Sequence, residues 1–262
     1  MNLKLTDKPV IVCASSSGLG RAAALEFAKE GARVMLASRR EKELRQVAAE
    51  IKEQTGREAG VTVADVTKAA DMERLVAETV REFGGVYTLV NNGGGPPAGT
   101  FDNFDDAAWQ GAFELNLLSY VRAIRAVLPH MRKGGGGRIV NYTSSSVKAP
   151  LDNLILSNTF RTGVMGLSKT LAGELGKDGI LVNVQAPGRI QTDRLNQLDG
   201  LRAAKTGMTA EQVRIDACKT IPLGRYGSPE EFAQLTVFLG SPANTYLTGQ
   251  TLVLDGGMTK AY

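Results

Sequence analysis

A doubly wound α/β architecture, with a seven-stranded, mostly parallel sheet and helices on both faces, is what this 262-residue sequence predicts. Three observations predict it. Short apolar runs alternate with longer amphipathic stretches from one end of the chain to the other, the order expected when each strand is followed by a covering helix. The runs are apolar nearly throughout rather than apolar and polar in turn, as in strands buried on both faces. Small residues cluster between the first run and the first helical stretch, where such sheets place a ligand-binding turn.

Taken in order, Val10–Val12 is a short β-rich run after Pro9, and Leu19 to Glu30 reads as a helix stopped at Gly31. Arg33 to Ala37 is a second strand, and Glu41 to Gln54 a helix closed by Gly56. Val61 to Ala64 and Val86 to Val90 are strands on either side of a helix from Ala69 to Phe83, itself closed by Gly84-Gly85. In the second half, Phe104 to Met131 reads as one long helix or two fused ones, and Leu154 to Leu175 and Glu230 to Leu239 as further helices. Arg138 to Tyr142, Ile180 to Gln185 and Thr251 to Leu254 supply the remaining strands. The glycine-rich stretches 93–95 and 134–137 are turns, so residues 1–262 are expected to form one domain. Only Gln191 to Thr220 reads as irregular. It follows a strand end, and a loop of that length in a compact domain is usually a lid or binding segment.

Composition narrows the function classes. With 43% hydrophobic and 22% charged residues, the chain has an ordinary globular balance. Cys13 and Cys218 are the only cysteines and His130 the only histidine, so neither a disulfide framework nor a metal site is expected. The scarcity of cysteine suits a reducing cytoplasm. The net charge of +4 is spread along the chain without a long basic run, which argues against nucleic acid as a partner. The N-terminus, 1–8, is polar and charged with no apolar signal core. No segment approaches the ~20 apolar residues of a membrane span.

Chemistry enters at the first turn. Ser15, Ser17, Gly18, Leu19 and Gly20 follow the first strand and open a helix. Small residues there let the backbone approach a pyrophosphate, and the helix N-terminus offers it free N–H groups and partial positive charge. The second strand ends at Ser38-Arg39-Arg40, with Ser38 twenty positions past Gly18. An acidic residue there would accept the ribose 2′-hydroxyl of NAD; a serine followed by two guanidinium groups suits the 2′-phosphate of NADP. The prediction is a Rossmann-type domain binding NADP(H), with NAD(H) the less favoured cofactor.

With these motifs in sequence order, the chain resembles the short-chain dehydrogenase/reductases nearly end to end. Cys13 to Gly20 resembles their TGxxxGxG turn, with Cys13 in place of Thr and Ala14 in place of the first Gly. Asp65-Val66 resembles the adenine-contacting pair, and Asn91-Asn92-Gly93-Gly94 the NNAG segment. Asn116 matches the active-site helix asparagine, and Pro187-Gly188 with Ile190 and Thr192 the segment that holds the nicotinamide carboxamide. Ile221–Arg225, Pro229–Glu231 and Leu254–Gly257 resemble the 3-oxoacyl-[acyl-carrier-protein] reductase branch. The resemblance implies interconversion of a ketone, such as a 3-oxoacyl thioester, and a secondary alcohol. It also implies a homotetramer built through 104–131, 154–175 and the last strand.

The resemblance breaks at the family's Ser-Tyr-Lys relay. Ser144 matches the serine, but the YxxxK positions read Ser157-Asn158-Thr159-Phe160-Arg161. A tyrosine, with its ordinary pKa near ~10, can be tuned as a general acid; a serine hydroxyl sits several units higher. Arg161 can hold ribose hydroxyls and stabilise negative charge but does not release a proton usefully. Three arrangements are open. Ser144, Ser157 and Arg161 can form an altered relay that polarises the carbonyl and steadies the alkoxide, with a proton from ribose or water. Tyr142, two residues before Ser144 and therefore on its strand face, can replace the tyrosine, or it can be a core aromatic. Or the chain binds a dinucleotide without reducing anything, as a sensor or structural subunit. His130 reads as a helix-end residue, Trp109 and Phe113 as packing on one helix face, and Cys13 as an inert small residue.

Overall fold

The computed structural model describes residues 1–261. Seven strands lie in the order β3-β2-β1-β4-β5-β6-β7, and every neighbouring pair is parallel. They are β1 Pro9–Cys13, β2 Arg33–Ser38, β3 Gly60–Val63, β4 Thr88–Asn91, β5 Gly137–Tyr142, β6 Ile180–Pro187 and β7 Thr251–Leu254. Between them run α1 Gly18–Lys29, α2 Glu41–Thr55, α3 Ala69–Phe83, α4 Asp106–Phe113, α5 Ser119–Lys133, α6 Ile155–Leu175, α7 Asp193–Thr206, α8 Ala210–Lys219 and α9 Pro229–Leu239.

The strand residues divide between two hydrophobic layers by the two-residue period of a strand. Val10, Val12, Val34 and Leu36 pack with Phe27 of α1, Leu44 of α2 and Phe232 of α9. Ile11, Cys13, Met35 and Ala37 pack with Leu75 of α3 and Val127 of α5. A strand buried on both sides cannot carry a polar face, which is why the runs are apolar throughout. The helices end where the sequence predicts: Gly56 (φ +71°) and Gly84 (φ +83°) close α2 and α3 in the left-handed conformation that glycine adopts without a Cβ penalty.

Strand order reverses direction between β1 and β4, and the crevice of such a sheet opens at the carboxyl ends of the strands there. Register holds that edge firmly. Asn91 pairs with Asn141 across β4 and β5, its Nδ2 donating to Asn141 Oδ1 at 2.8 Å, and Asn141 Nδ2 donates to Ser168 Oγ of α6 at 2.8 Å. All three residues are buried, so a satisfied polar ladder ties two central strands to α6.

One expectation needs correction. The segment 191–220 is not irregular: it forms α7 and α8. Thr192 and Thr209 cap them, accepting from Leu195 N and Gln212 N, and Gln212 returns a bond to the Thr209 N–H. The capping pattern was present, but each helix fully buries only two residues, Asp199 and Ala203 in α7 and Val213 and Ala217 in α8, so the apolar periodicity is faint. The stretch 104–131 holds two fused helices, as expected: a π-helical turn, 114–118, joins α4 to α5 without a break.

Candidate active site

A cleft of about 510 Å³ opens at the carboxyl edge of the sheet. Its floor is the turn after β1. Gly20 lies beneath that turn, where a Cβ would stand 2.4 Å from the Ala14 carbonyl oxygen and 2.9 Å from Asn92 Nδ2. Any larger residue would push the turn outward. Gly18 and Leu19, at the start of α1, line the cleft with Ser16 and Ser17. Ser15 does not reach it: the side chain is fully buried, and its hydroxyl accepts from Ala37 N at 3.0 Å, fastening the turn to β2.

At one end of the cleft stand Ser38, Arg39, Arg40, Asp65 and Val66. Arg40 reaches over the turn and donates to Ser16 Oγ at 2.8 Å and Ser17 Oγ at 2.6 Å, while its backbone N–H donates to Ser38 Oγ. Burial works to raise the Asp65 carboxyl. The Thr67 N–H and hydroxyl, with the Arg39 charge nearby, more than offset it and hold the pKa below its ordinary value. Asn92, Gly93 and Gly94 form the wall after β4; Pro187, Gly188, Ile190 and Thr192 form the opposite wall after β6. Gly188 is packed so closely that a Cβ would meet Asp255 Cβ at 2.3 Å.

At the other end are Ser144, Ser157 and Arg161. Ser144 follows β5, and its Oγ accepts from Ser146 N at 3.2 Å. Ser157 and Arg161 sit one helical turn apart on α6 and present the same face, both more than nine-tenths buried. Arg161 Nη1 donates to the Tyr142 carbonyl oxygen at 3.1 Å. Asn116 does not line the cleft. It lies buried in the π-helical turn, its Nδ2 donating to Gly94 O at 2.9 Å and its Oδ1 without a partner. An extra residue in a helical turn of this kind re-aims side chains and recurs at functional sites.

Tyr142 is a core residue. Its hydroxyl is 2.7 Å from Thr236 Oγ1 of α9, its ring meets Phe232 edge-on, and burial pushes its pKa up. Strand alternation suggested a face shared with Ser144, but β5 ends at Tyr142 and the period ends with it. Burial also pushes the Cys13 thiol up to about 12, the mark of an inert residue. Trp109 and Phe113 grip Phe160 of α6 at 5.8 and 6.0 Å between ring centroids. The sequence reading missed Ser16, which receives Arg40, and Arg194 of α7, which crosses the cleft to donate to Pro96 O at 2.9 Å. Nothing local marks either one. Among the described residues, no group of three His, Cys, Asp or Glu side chains is gathered, and no helix is long and apolar enough to cross a membrane.

The glycine cradle, the helix N-terminus and the paired arginines are donors and clearances that fit a phosphorylated dinucleotide, and the buried, unpartnered Asn116 Oδ1 marks the far wall as polar. Fold and cleft together define an α/β protein of the dinucleotide-binding class. Comparison with known proteins narrows this. The sequence model of a family described as enoyl-(acyl carrier protein) reductase matches residues 13–259. The chain is 34% identical over 251 residues to the short-chain reductase protein NovJ of Streptomyces niveus, covering 96% of this chain and 94% of that one. It is 33% identical over 260 residues to the 3-oxoacyl-[acyl-carrier-protein] reductase FabG of Thermotoga maritima, covering 98% and 99%. Among solved structures, L-sorbose reductase from Gluconobacter frateurii, complexed with NADPH and L-sorbose, superposes with a TM-score of 0.95 at 34% identity over all of both chains. The chain belongs to the short-chain dehydrogenase/reductase family of oxidoreductases.

Proposed function

We propose that this protein is an NADP(H)-dependent oxidoreductase that interconverts a small ketone and a secondary alcohol through an altered proton relay. The observation that carries the reading is the gathering of Ser144, Ser157 and Arg161 at one end of a cleft whose other end holds Arg39 and Arg40. Ser17, Gly18 and Leu19 would hold the pyrophosphate, Ser38, Arg39 and Arg40 the 2′-phosphate, Asp65 and Val66 the adenine, and Thr192 with Pro187, Gly188 and Ile190 the carboxamide. Asn92, Gly93 and Gly94 would flank the ribose, and Asn116 would brace that wall through Gly94 O. NADPH, once bound, supplies the hydride to the carbonyl carbon.

Ser157 and Arg161 stand where the family places tyrosine and lysine. The hydroxyls of Ser144 and Ser157 donate hydrogen bonds to the carbonyl oxygen, and the Arg161 guanidinium stabilises the negative charge that collects there. Arg161 keeps its own proton, so the proton that completes the alcohol comes from water entering the cleft. Substrates such as 3-oxoacyl thioesters and small ketones follow from the family. A homotetramer through α5, α6 and the unpaired edge of β7 is the assembly proposed, to be checked by light scattering. A cytoplasmic location, to be checked by cell fractionation, fits two free cysteines.

A second reading, a dinucleotide-binding protein with a sensing or structural role, is favoured by one observation. Among the described residues that line the cleft there is no lysine, and the one tyrosine, Tyr142, turns its phenol away into the core, where Thr236 engages it. Fluorescence titration with NADPH and NADH, followed by NADPH oxidation with a panel of ketones and 3-oxoacyl thioesters, separates the two. Turnover that falls in Ser144→Ala, Ser157→Ala and Arg161→Ala supports the relay. Tight NADPH binding without turnover on any ketone supports the second reading.

A further inference from the structure

Two guanidinium groups face the substrate end of the cleft without a carboxylate to pair them. Arg161 is more than nine-tenths buried; it donates to a backbone carbonyl, Tyr142 O, and its side chain also meets the neutral Tyr120 phenol. Arg194, in the first turn of α7, stretches across the mouth from the opposite wall. Its Nε and Nη2 lie 3.1 Å from where a Cβ of Gly95 would be, and Nη2 donates to Pro96 O at 2.9 Å. That bond too ends on a neutral oxygen.

Burial and then the charge of Arg161 both lower the pKa of Arg194, so the two cations act on one another. Neither forms an ion pair among the described residues, whereas Arg189, nearby, pairs with Asp199. Asp193 also borders the cleft and pairs with neither; it and Arg194 are both exposed at the mouth, while Arg161 lies buried beneath. Two unpaired like charges in a concave site cost stability, and that cost is removed when an anion enters between them. Arg40 and Arg39 sit at the far end, where the 2′-phosphate is proposed to bind, so Arg194 is free for another anion, with the charge of Arg161, which also serves the carbonyl oxygen, close beneath it. The forked donors of arginine match a planar carboxylate.

We infer that Arg194 and Arg161 form a recognition site for a carboxylate carried by the substrate, so that the reacting ketone is a small oxo acid and the alcohol a hydroxy acid. This rests on the cofactor-dependent reading above and narrows its substrate. Arg194 is the specificity residue, gripping the carboxylate from α7. Arg161 contributes charge from beneath. The reaction stays balanced: the ketone carbon takes the hydride, its oxygen takes a proton from water, and the carboxylate remains unchanged.

The test uses the NADPH-loaded full chain in phosphate-free buffer, with calorimetric titration of acetoacetate and 2-oxobutyrate against their methyl esters. Removing one charge-assisted arginine contact typically weakens binding on the order of tenfold to hundredfold. The expected result is that each acid binds at least about tenfold more tightly than its ester and that Arg194→Met abolishes the difference. NADPH affinity, titrated separately, should stay within about twofold in Arg194→Met, and Arg194→Lys should restore part of the acid preference. Equal binding of acid and ester, or no binding of either acid to a protein that does bind NADPH, overturns the inference. So does a tenfold loss of NADPH affinity in Arg194→Met, which would place Arg194 on the cofactor's phosphates. Failure of the wild-type chain to bind NADPH at all would instead strike the cofactor-dependent reading.

Discussion

Replacing Arg40 with alanine should cut the preference of the cleft for NADPH over NADH by roughly tenfold. In the structure, the Arg40 guanidinium spends two donors on the hydroxyls of Ser16 and Ser17. An arriving phosphate gives the same donors charged acceptors. A hydrogen bond to a charged group is worth about 1.5–3 kcal/mol net. Two features lower that value here: the Arg40 side chain is 51% exposed, and Glu43 stands 3.8 Å away as a competing anion. The lower end, about 1.5 kcal/mol, corresponds to roughly tenfold weaker NADPH binding. NADH has no 2′-phosphate and should change by about twofold at most. Screening predicts that the wild-type preference shrinks as salt rises, since the Debye length falls from about 10 Å at 0.1 M to about 3 Å at 1 M. Fluorescence titration of both cofactors into both proteins at two salt concentrations is sufficient. Equal weakening of NADPH and NADH would refute the reasoning, because Arg40 would then act by holding the turn through Ser16 and Ser17 rather than by recognising phosphate.

Four further outcomes follow from the geometry. The double substitution Ser157→Tyr and Arg161→Lys should raise ketone reduction by about 10²–10⁴-fold if a tunable general acid is what the relay lacks; unchanged NADPH oxidation in a variant that still binds NADPH would argue against these positions. Asp199→Asn should loosen α7 from its anchor, where Arg189 Nη1 and the Tyr226 hydroxyl meet the Asp199 carboxylate at 2.8 and 2.7 Å. Breaking one partner of a buried pair costs about 3–5 kcal/mol. Because Arg189 is 24% exposed, we expect about 2 kcal/mol, or a Tm roughly 4–8 °C lower. Burial first, and then the bond to Asp199, raises the Tyr226 phenol to about 12. Its contribution is therefore complete below an unfolded pKa of about 10 and is lost as pH rises from about 10 to about 12. A wild-type stability profile flat across that window would refute it. Finally, a thiol reagent at about pH 8 should modify Cys218 in the native protein and reach Cys13 only after denaturation, since burial holds the Cys13 thiol near 12. Modification of both thiols in the folded state would contradict the packing of β1.

The amino-acid sequence alone determined the seven strands, their covering helices and the tight turn after β1. Those signals are local. An apolar run such as Val34–Ala37 records its own burial, Gly56 and Gly84 record their own turns, and the stretch from Ser15 to Gly20 carries the small residues of its tight turn in consecutive positions. Ser144, Ser157 and Arg161 could be named because a family pattern supplied their spacing, yet only the fold shows that they share a wall. Where contacts span long separations, tertiary structure decided. It turned the Tyr142 hydroxyl toward Thr236, ninety-four residues away, and brought Arg194 to Pro96, ninety-eight residues away. It also set Ser15 behind the turn and Ser16 in front of it, a choice between neighbours of identical chemistry that composition cannot make. The helices α7 and α8 were hidden for a related reason: most of their surface faces solvent, so hydrophobic periodicity, the strongest sequence signal, had little to record.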